Sequence, residues 1–288
     1  FENTVKIQTV KIDSHQHFWK YNATDYGWID DRMKILKRDW LPDDLEPGLL
    51  EAGFAGSVAV QARQTPEETR WLLNLAEKND FIKGVVGWVD LCSEDDLKRQ
   101  LDEFCKSPKL VGVRHVVHDE PEDGFMLRDD FLKGISILKE YNLTYDLLLF
   151  PKHLPVARIV VSMFPEQKFV VDHISKPLIK DRLTDPWKDD IVMLSENKNV
   201  WCKLSGMVTE ADWLNHTPED FRPYLDIVFK AFGPGRLMIG SDWPVCLVSR
   251  EYREVINIVE DYISGMQDEV RQKILGLNCI DFYGLEIR

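Results

Sequence analysis

Cysteine is sparse and unpatterned. The five residues of this type (Cys92, Cys105, Cys202, Cys246 and Cys279) are odd in number and scattered, with no CxxC pair. That spacing predicts reduced, packed thiols in a reducing compartment rather than a disulfide scaffold. No apolar run approaches the roughly 18 residues needed to span a bilayer. The opening FENTVKIQTV also lacks the charged-then-apolar order of a signal peptide. There is no low-complexity linker, and no GxGxxG follows the first strand-like segment, so the dinucleotide fingerprint is missing. Basic charge is in deficit, with 36 Lys and Arg against 49 Asp and Glu, a net charge of −13. Such a field repels phosphate backbones and anionic lipid surfaces. The expectation is a cytoplasmic protein whose partner is a small molecule, with no nucleic acid or membrane involved and the oligomeric state unreadable.

What the chain does have is alternation. Its 288 residues are 44% apolar and 30% charged, ordinary values for a globular protein. Eight segments rich in β-branched residues, at 10–17, 57–62, 82–89, 110–116, 143–149, 168–173, 200–204 and 236–241, are separated by stretches of helical periodicity. Helices are expected at 66–78, where Thr65 and Pro66 form a cap and first-turn pair, and at 127–141 and 252–264. This order predicts parallel strands joined by crossover helices. Eight such units close into a (β/α)8 TIM-type barrel formed by one domain over 1–288, whereas an open doubly wound sheet usually has fewer strands. Residues 18–47 and 209–223 read as long loops at the mouth of the barrel.

Polar residues stand at the ends of otherwise apolar strands, on the face where barrel enzymes build their sites. Strand one ends in Asp13-Ser14-His15-Gln16-His17, and a spacing of two puts both imidazoles on one side of a strand. Strand four supplies Arg114, strand six Asp172 and His173, and strand eight Ser241-Asp242-Trp243. Asp242, beside histidines and a guanidinium, stays ionised and suits a general base. Arg114 offers fixed donors to an oxygen gaining negative charge, and His173 can donate to that oxygen or protonate a leaving alkoxide. As alternatives, Asp242 caps a helix or pairs with Arg114, and Arg114 pairs with Asp146 or Asp172. Gln61, Trp88, Asp90, Asp146, Lys203 and Trp243 are candidates to shape the pocket and contact substrate. Trp19, Tyr21, Tyr26 and Trp28 in the first loop offer apolar faces for a sugar ring. His115, His118, His153 and His216 read as loop or supporting residues.

Six motifs in order carry a resemblance that spans the chain: HxHFW at His15–Trp19, GVVGWVDL at Gly84–Leu91, GVRH at Gly112–His115, DHxxKP at Asp172–Pro177, KLSG at Lys203–Gly206 and FGPxRLMxGSDWPV at Phe232–Val245. The sequence resembles the amidohydrolase-related family of sugar-lactone hydrolases, the L-fuconolactonases and L-rhamnonolactonases and, more distantly, the 2-pyrone-4,6-dicarboxylate lactonases. The resemblance implies an amidohydrolase-like barrel and lactone hydrolysis, with the water-activating aspartate at Asp242, the first-strand histidines at His15 and His17, the sixth-strand histidine at His173 and the fourth-strand arginine at Arg114.

Metal-holding amidohydrolases usually add a histidine at the end of strand five, where this chain reads Leu143-Thr144-Tyr145-Asp146-Leu147-Leu148, and binuclear ones a bridging ligand at strand four, where it has Arg114. The expectation is a lactonase that requires no cofactor; one Zn2+ on His15, His17 and Asp242 is the alternative. A zinc-dependent decarboxylase of the same superfamily and a non-catalytic sugar-acid-binding barrel are the rival functions.

Overall fold

A computed structural model describes residues 10–287; the first nine residues, which make up most of the FENTVKIQTV segment, and Arg288 lie outside it. The strands are β1 (Ile12–Gln16), β2 (Gly56–Val60), β3 (Ile82–Gly87), β4 (Leu110–His115), β5 (Thr144–Leu147), β6 (Phe169–Val171), β7 (Val200–Leu204) and β8 (Leu237–Ile239). They pair in sequence order as one eight-stranded sheet, every neighbour parallel. Helices α1 (Pro42–Glu51), α2 (Pro66–Lys78), α3 (Glu94–Phe104), α4 (Asp129–Leu138), α5 (Leu154–Met163) and α6 (Trp187–Ser195) occupy successive crossovers. The short α7 (Met207–Glu210) and the longer α8 (Pro218–Phe232) follow β7, and α9 (Tyr252–Ile263), α10 (Asp268–Gln272) and α11 (Asn278–Tyr283) follow β8. Strands covered on both faces must be apolar nearly throughout, which is why β2 and β3 are buried at every position.

Closure depends on polar groups. Past its last regular residue, β8 continues far enough for Trp243 to bridge Gln16 in parallel. His17 N donates to the Trp243 carbonyl at 2.7 Å, and Asp242 N to the His15 carbonyl at 2.8 Å. Beneath this seam the fully buried Asp13 accepts from Ser241 N at 2.9 Å, Ser241 Oγ at 2.6 Å and the Tyr252 hydroxyl at 3.1 Å. The barrel is thus nearly closed, as the eight βα units predict.

Two apolar layers result. Most of the core lies between strands and helices. A second cluster joins Ile12, Val58, Val86, Val170 and Met238 to Cys279, Phe282 and Tyr283 of α11 and to Leu285. Because Lys168, just before β6, donates to the Phe282 carbonyl and a side chain at Gly84 would meet Leu285, α11 lies across the amino ends of the strands. That leaves the carboxyl ends as the open face. No helix among the described residues is long and apolar enough to cross a membrane, and all five cysteines are unpaired.

The expected loops are shorter than their sequences suggest. Pro42 is the first residue of α1 and Pro218 of α8, so 18–47 and 209–223 each end in a helix. Pro47 and Pro223, the last residues of those expected loops, sit inside the helices. Each falls in the second turn, so only one carbonyl near the start of its helix loses a partner. Helix α2 spans Pro66–Lys78 as expected, with Thr65 Oγ1 accepting from Glu68 N at 3.2 Å.

Candidate active site

The carboxyl ends of β1, β4, β6 and β8 bring His15, His17, Arg114, His173 and Asp242 together. One oxygen of Asp242, Oδ1, faces three imidazole nitrogens: His17 Nε2 at 3.4 Å, His173 Nε2 at 3.7 Å and His15 Nε2 at 3.9 Å. The backbone is bent to achieve this. Asp242 has φ +58°, and after β6 four consecutive residues, His173, Ile174, Ser175 and Lys176, have φ of 55°, 47°, 61° and 50°. Each non-glycine residue in that region costs on the order of 1–2 kcal/mol, so the turn is held from outside. The Ile174 carbonyl accepts from Trp187 Nε1 at 2.8 Å, and His173 Nδ1 lies 2.9 Å from Ser205 Oγ. Gly206 is required next to it, since a Cβ there would lie 2.4 Å from His173 Nδ1.

Arg114 is fixed by its whole fork. Nε donates to Gln61 Oε1 at 2.9 Å, the Nη2 group to the Gln61 carbonyl at 2.5 Å and its Oε1 at 2.7 Å, and Nη1 to Asp172 Oδ2 at 2.9 Å. Beneath the imidazoles, the ammonium of Lys203 donates to Asp146 Oδ2 at 2.5 Å and His15 Nδ1 at 3.1 Å, and pairs with Asp172 Oδ1 at 3.0 Å. The hydroxyl of Tyr283, from α11, closes this layer by donating to Asp146 Oδ2 at 2.8 Å. Lys203, Asp146 and Asp172 are fully buried, so they support the imidazoles from below rather than facing the mouth.

Burial drives the titration of this cluster. It pushes His15 and His173 well below the ordinary histidine value, which keeps both rings neutral. Burial alone would raise Asp242, but His173 and His17 outweigh it and hold the carboxyl below its usual value. Burial likewise opposes the ionised forms of Asp172 and Lys203. The attraction of Lys203 and His15 holds Asp172 well down, and that of Asp146 and Asp172 holds Lys203 up. Asp146 is raised to about 6 by burial, against the pull of Lys203.

Other expected residues fall elsewhere. Trp19 is fully buried and donates to the Arg38 carbonyl at 3.0 Å, pinning the first loop instead of facing a ligand. Tyr26 is buried beside it, Tyr21 packs on the core, and Trp28 is exposed. Trp243 packs edge-on against Trp40 at 5.2 Å and closes the barrel seam. Trp88 Nε1 donates to His115 Nδ1 at 3.3 Å, and His115 meets Glu120 at 2.6 Å. Asp90 accepts from Cys92 N, while His153 and His216 pack under loops. Gln61 is buried and holds Arg114. His17, Arg114, His173 and Asp242 keep 3–4% exposure, so the opening above them is narrow. A groove of about 620 Å³ lined by Leu178, Lys180, Trp213 and Leu214 includes none of the five.

Asp172, named from the sequence as a possible partner of Arg114, takes that place, and two supporting residues escaped the sequence reading of the site. Lys176 closes the DHxxKP motif and pairs with Glu210 at 2.9 Å. Tyr283 gave no local signal.

His15, His173 and Asp242 offer ligand atoms within 4.8 Å of one another, a zinc-like set in number and type. The surroundings oppose a cation there. Arg114 Nη1 lies 3.3 Å from His15 Nε2, the atom a metal would need, and the Lys203 ammonium occupies the other nitrogen of the ring. His17 Nε2, 3.1 Å from His15 Nε2 and 3.4 Å from Asp242 Oδ1, completes the trio of possible ligands expected from the sequence.

Known proteins resemble this chain along most of its length. An L-fucono-1,5-lactonase of Burkholderia multivorans is 41% identical over 261 residues, covering 87% of this chain and 88% of that protein. A second L-fucono-1,5-lactonase, from Burkholderia ambifaria, is 33% identical over 284 residues, 96% of this chain and 97% of that one. A crystal structure of an amidohydrolase from Burkholderia multivorans with bound zinc superposes with a TM-score of 0.92 at 39% identity, covering 96% of this chain and all of that one (100%). With the Amidohydrolase profile matching residues 12–285, the chain belongs to the amidohydrolase family.

Proposed function

We propose that this protein hydrolyses a sugar-derived lactone, with L-fucono-1,5-lactone the first substrate to test, through a water activated by Asp242 and without a metal. The observation that carries the reading is the position of Asp242 Oδ1, an ionised carboxylate oxygen 3.4–3.9 Å from three imidazole nitrogens at the open end of the barrel. The substrate class is supported by the two L-fucono-1,5-lactonases that share 41% and 33% of their residues with it.

Asp242 takes a proton from water as the oxygen attacks the lactone carbonyl. The oxygen of that carbonyl gains negative charge beside Arg114, His15 and His173, whose positions are fixed before substrate arrives. Collapse of the tetrahedral intermediate breaks the bond to the ring oxygen, and the proton held by Asp242 passes to that alkoxide, giving the hydroxy acid. A lactone ester is activated relative to an amide, so a placed base and fixed donors can suffice.

The test is Asp242→Asn with a pH indicator and a panel of aldonolactones. Loss of turnover by at least a hundredfold at unchanged folding is the expected result, on the order of what a general base contributes. Turnover near the wild-type rate would overturn the assignment. The zinc-dependent alternatives, including a decarboxylase, require metal: elemental analysis of unsupplemented protein and assay after chelation should show full lactonase activity with substoichiometric zinc. A binding barrel without catalysis predicts saturable binding and no turnover in the same panel.

A further inference from the structure

The rim of the barrel mouth carries a second tier of side chains, one beyond each of four neighbouring strands. His118 follows β4, Phe150 follows β5, Lys176 follows β6 and Glu210 follows β7, so strand order sets them along one arc. Two features of this arc are left unfinished by the protein itself.

The first is His118. Its ring lies on Phe150, with centroids 4.6 Å apart and planes 14° from parallel, and its Nε2 is 3.3 Å from Asp119 Oδ1. A carboxylate only accepts, so the ring hydrogen sits on Nε2 and Nδ1 holds a lone pair. That nitrogen is buried and has no partner among the described residues. An unmet buried acceptor is unfavourable until a donor completes it. Burial, with the charges of Lys176 and Arg114, lowers the pKa of the ring to about 3, so the lone pair persists at neutral pH.

The second is an ion pair. Lys176 Nζ donates to Glu210 Oε1 at 2.9 Å, and the two side chains keep 17% and 20% exposure, more than the imidazoles and Asp242. One ammonium hydrogen is used; two others and Glu210 Oε2 are unengaged among the described residues. Both backbones are tied to His173. Lys176 N donates to the His173 carbonyl at 2.8 Å, and Glu210 ends α7, which begins just after Gly206, the residue packed on the His173 ring. Glu210 also borders the groove of about 620 Å³, a volume within the range of small-molecule sites. The pair therefore adjoins both the reacting groups and open space.

We propose that Lys176, Glu210 and His118 form the subsite that reads the hydroxyl groups of the lactone ring: the ammonium donates to one hydroxyl oxygen, Glu210 Oε2 accepts from the hydroxyl beside it, and His118 Nδ1 accepts from a third. A donor next to an acceptor suits two adjacent hydroxyl groups, because each hydroxyl can take either role. The inference deepens the lactonase reading and rests on it for the identity of the ring.

The test compares L-fucono-1,5-lactone with δ-valerolactone, which has the same six-membered ester ring and no hydroxyl groups. Lys176→Met and Glu210→Met should each lower the ratio of kcat/KM for the hydroxylated over the bare lactone by roughly tenfold to a hundredfold, the worth of a hydrogen bond to a charged group. His118→Phe, which keeps the stack on Phe150, should lower it by about two- to tenfold. Equal losses on both lactones, or none, would mean that these groups only brace the turn after β6, and would overturn the proposal. Calorimetric binding of L-fuconate, the opened acid, needs no turnover: Kd should rise by the same factors, and an unchanged Kd in the three variants overturns the proposal. Where δ-valerolactone turns over too slowly to measure, the Kd values decide, and where one variant does not fold, the other two decide. Failure of the lactonase reading appears separately, as a wild type that turns over neither lactone; if it also binds no L-fuconate, both readings fall.

Discussion

At the scale of single residues, the strongest constraint is the neutralisation of histidines by burial. His15 and His173 are held uncharged by the loss of water around them, while Asp242 is held ionised by the rings it faces. The acid limb of kcat/KM should therefore stay at or below the ordinary carboxylate range, about 4. A limb centred near pH 6 would mean that an imidazole, not Asp242, takes the proton. Glu68 presents a different case. It is buried in the first turn of α2, where Oε2 accepts from Ala62 N at 3.0 Å and Arg63 N at 2.7 Å while Oε1 has no partner. Burial raises its pKa from 4.5 to about 8. Between those values the folded protein holds a proton that the unfolded chain has lost, so this group makes stability fall as pH rises through the window. Glu68→Gln should remove that slope, at most about 1.4 kcal/mol per pH unit, as read from urea midpoints at pH 5 and pH 8. Equal slopes in both proteins would show that Glu68 is not the group responsible. Helical periodicity says nothing of the loop that covers Glu68, so its burial was not legible in the sequence.

At the scale of elements, what the sequence showed and what it hid follow from the range of the contacts. Strand β7 and helix α2 match their expected bounds because their signals are local: an apolar run in one, Thr65-Pro66 in the other. Convergence of His15, Arg114, His173 and Asp242 was legible because parallel strands bring their carboxyl ends together whatever the loops do. The aromatic residues were not legible in the same way. Trp19 and Trp243 could pack a loop or face a ring, and only the loop's path decides. The left-handed turn after β6 was hidden too, since nothing in Asp172-His173-Ile174-Ser175-Lys176 favours positive φ. It is supported by Gly206 on the neighbouring strand end, so Gly206→Ala should displace the His173 ring. Activity should fall at least tenfold, and stability by about 1–3 kcal/mol, from the Cβ contact and from the alanine's own φ of +62°. Wild-type kcat in a folded Gly206→Ala protein would show that the ring position is not limiting.

At the scale of the whole molecule, the barrel is closed by a carboxylate rather than by a full ladder. Asp13 takes hydrogen bonds from Ser241, from Tyr252 and, at 3.1 Å, from His15 N, so one buried side chain ties the first strand to the last and to α9. Asp13→Ala would leave these donors without an acceptor, and a loss of at least about 3 kcal/mol is expected, together with activity, because Asp242 follows directly on Ser241. An unchanged urea midpoint would mean that the helices alone hold the seam. The same tie has a temporal side. Asp13 and Ser241 are 228 residues apart in the chain, so during synthesis the histidine pair leaves the ribosome roughly 10–45 s before its carboxylate partner. For that interval the nascent chain carries the imidazoles without the carboxylate they face, and the site is complete only when the final strand docks.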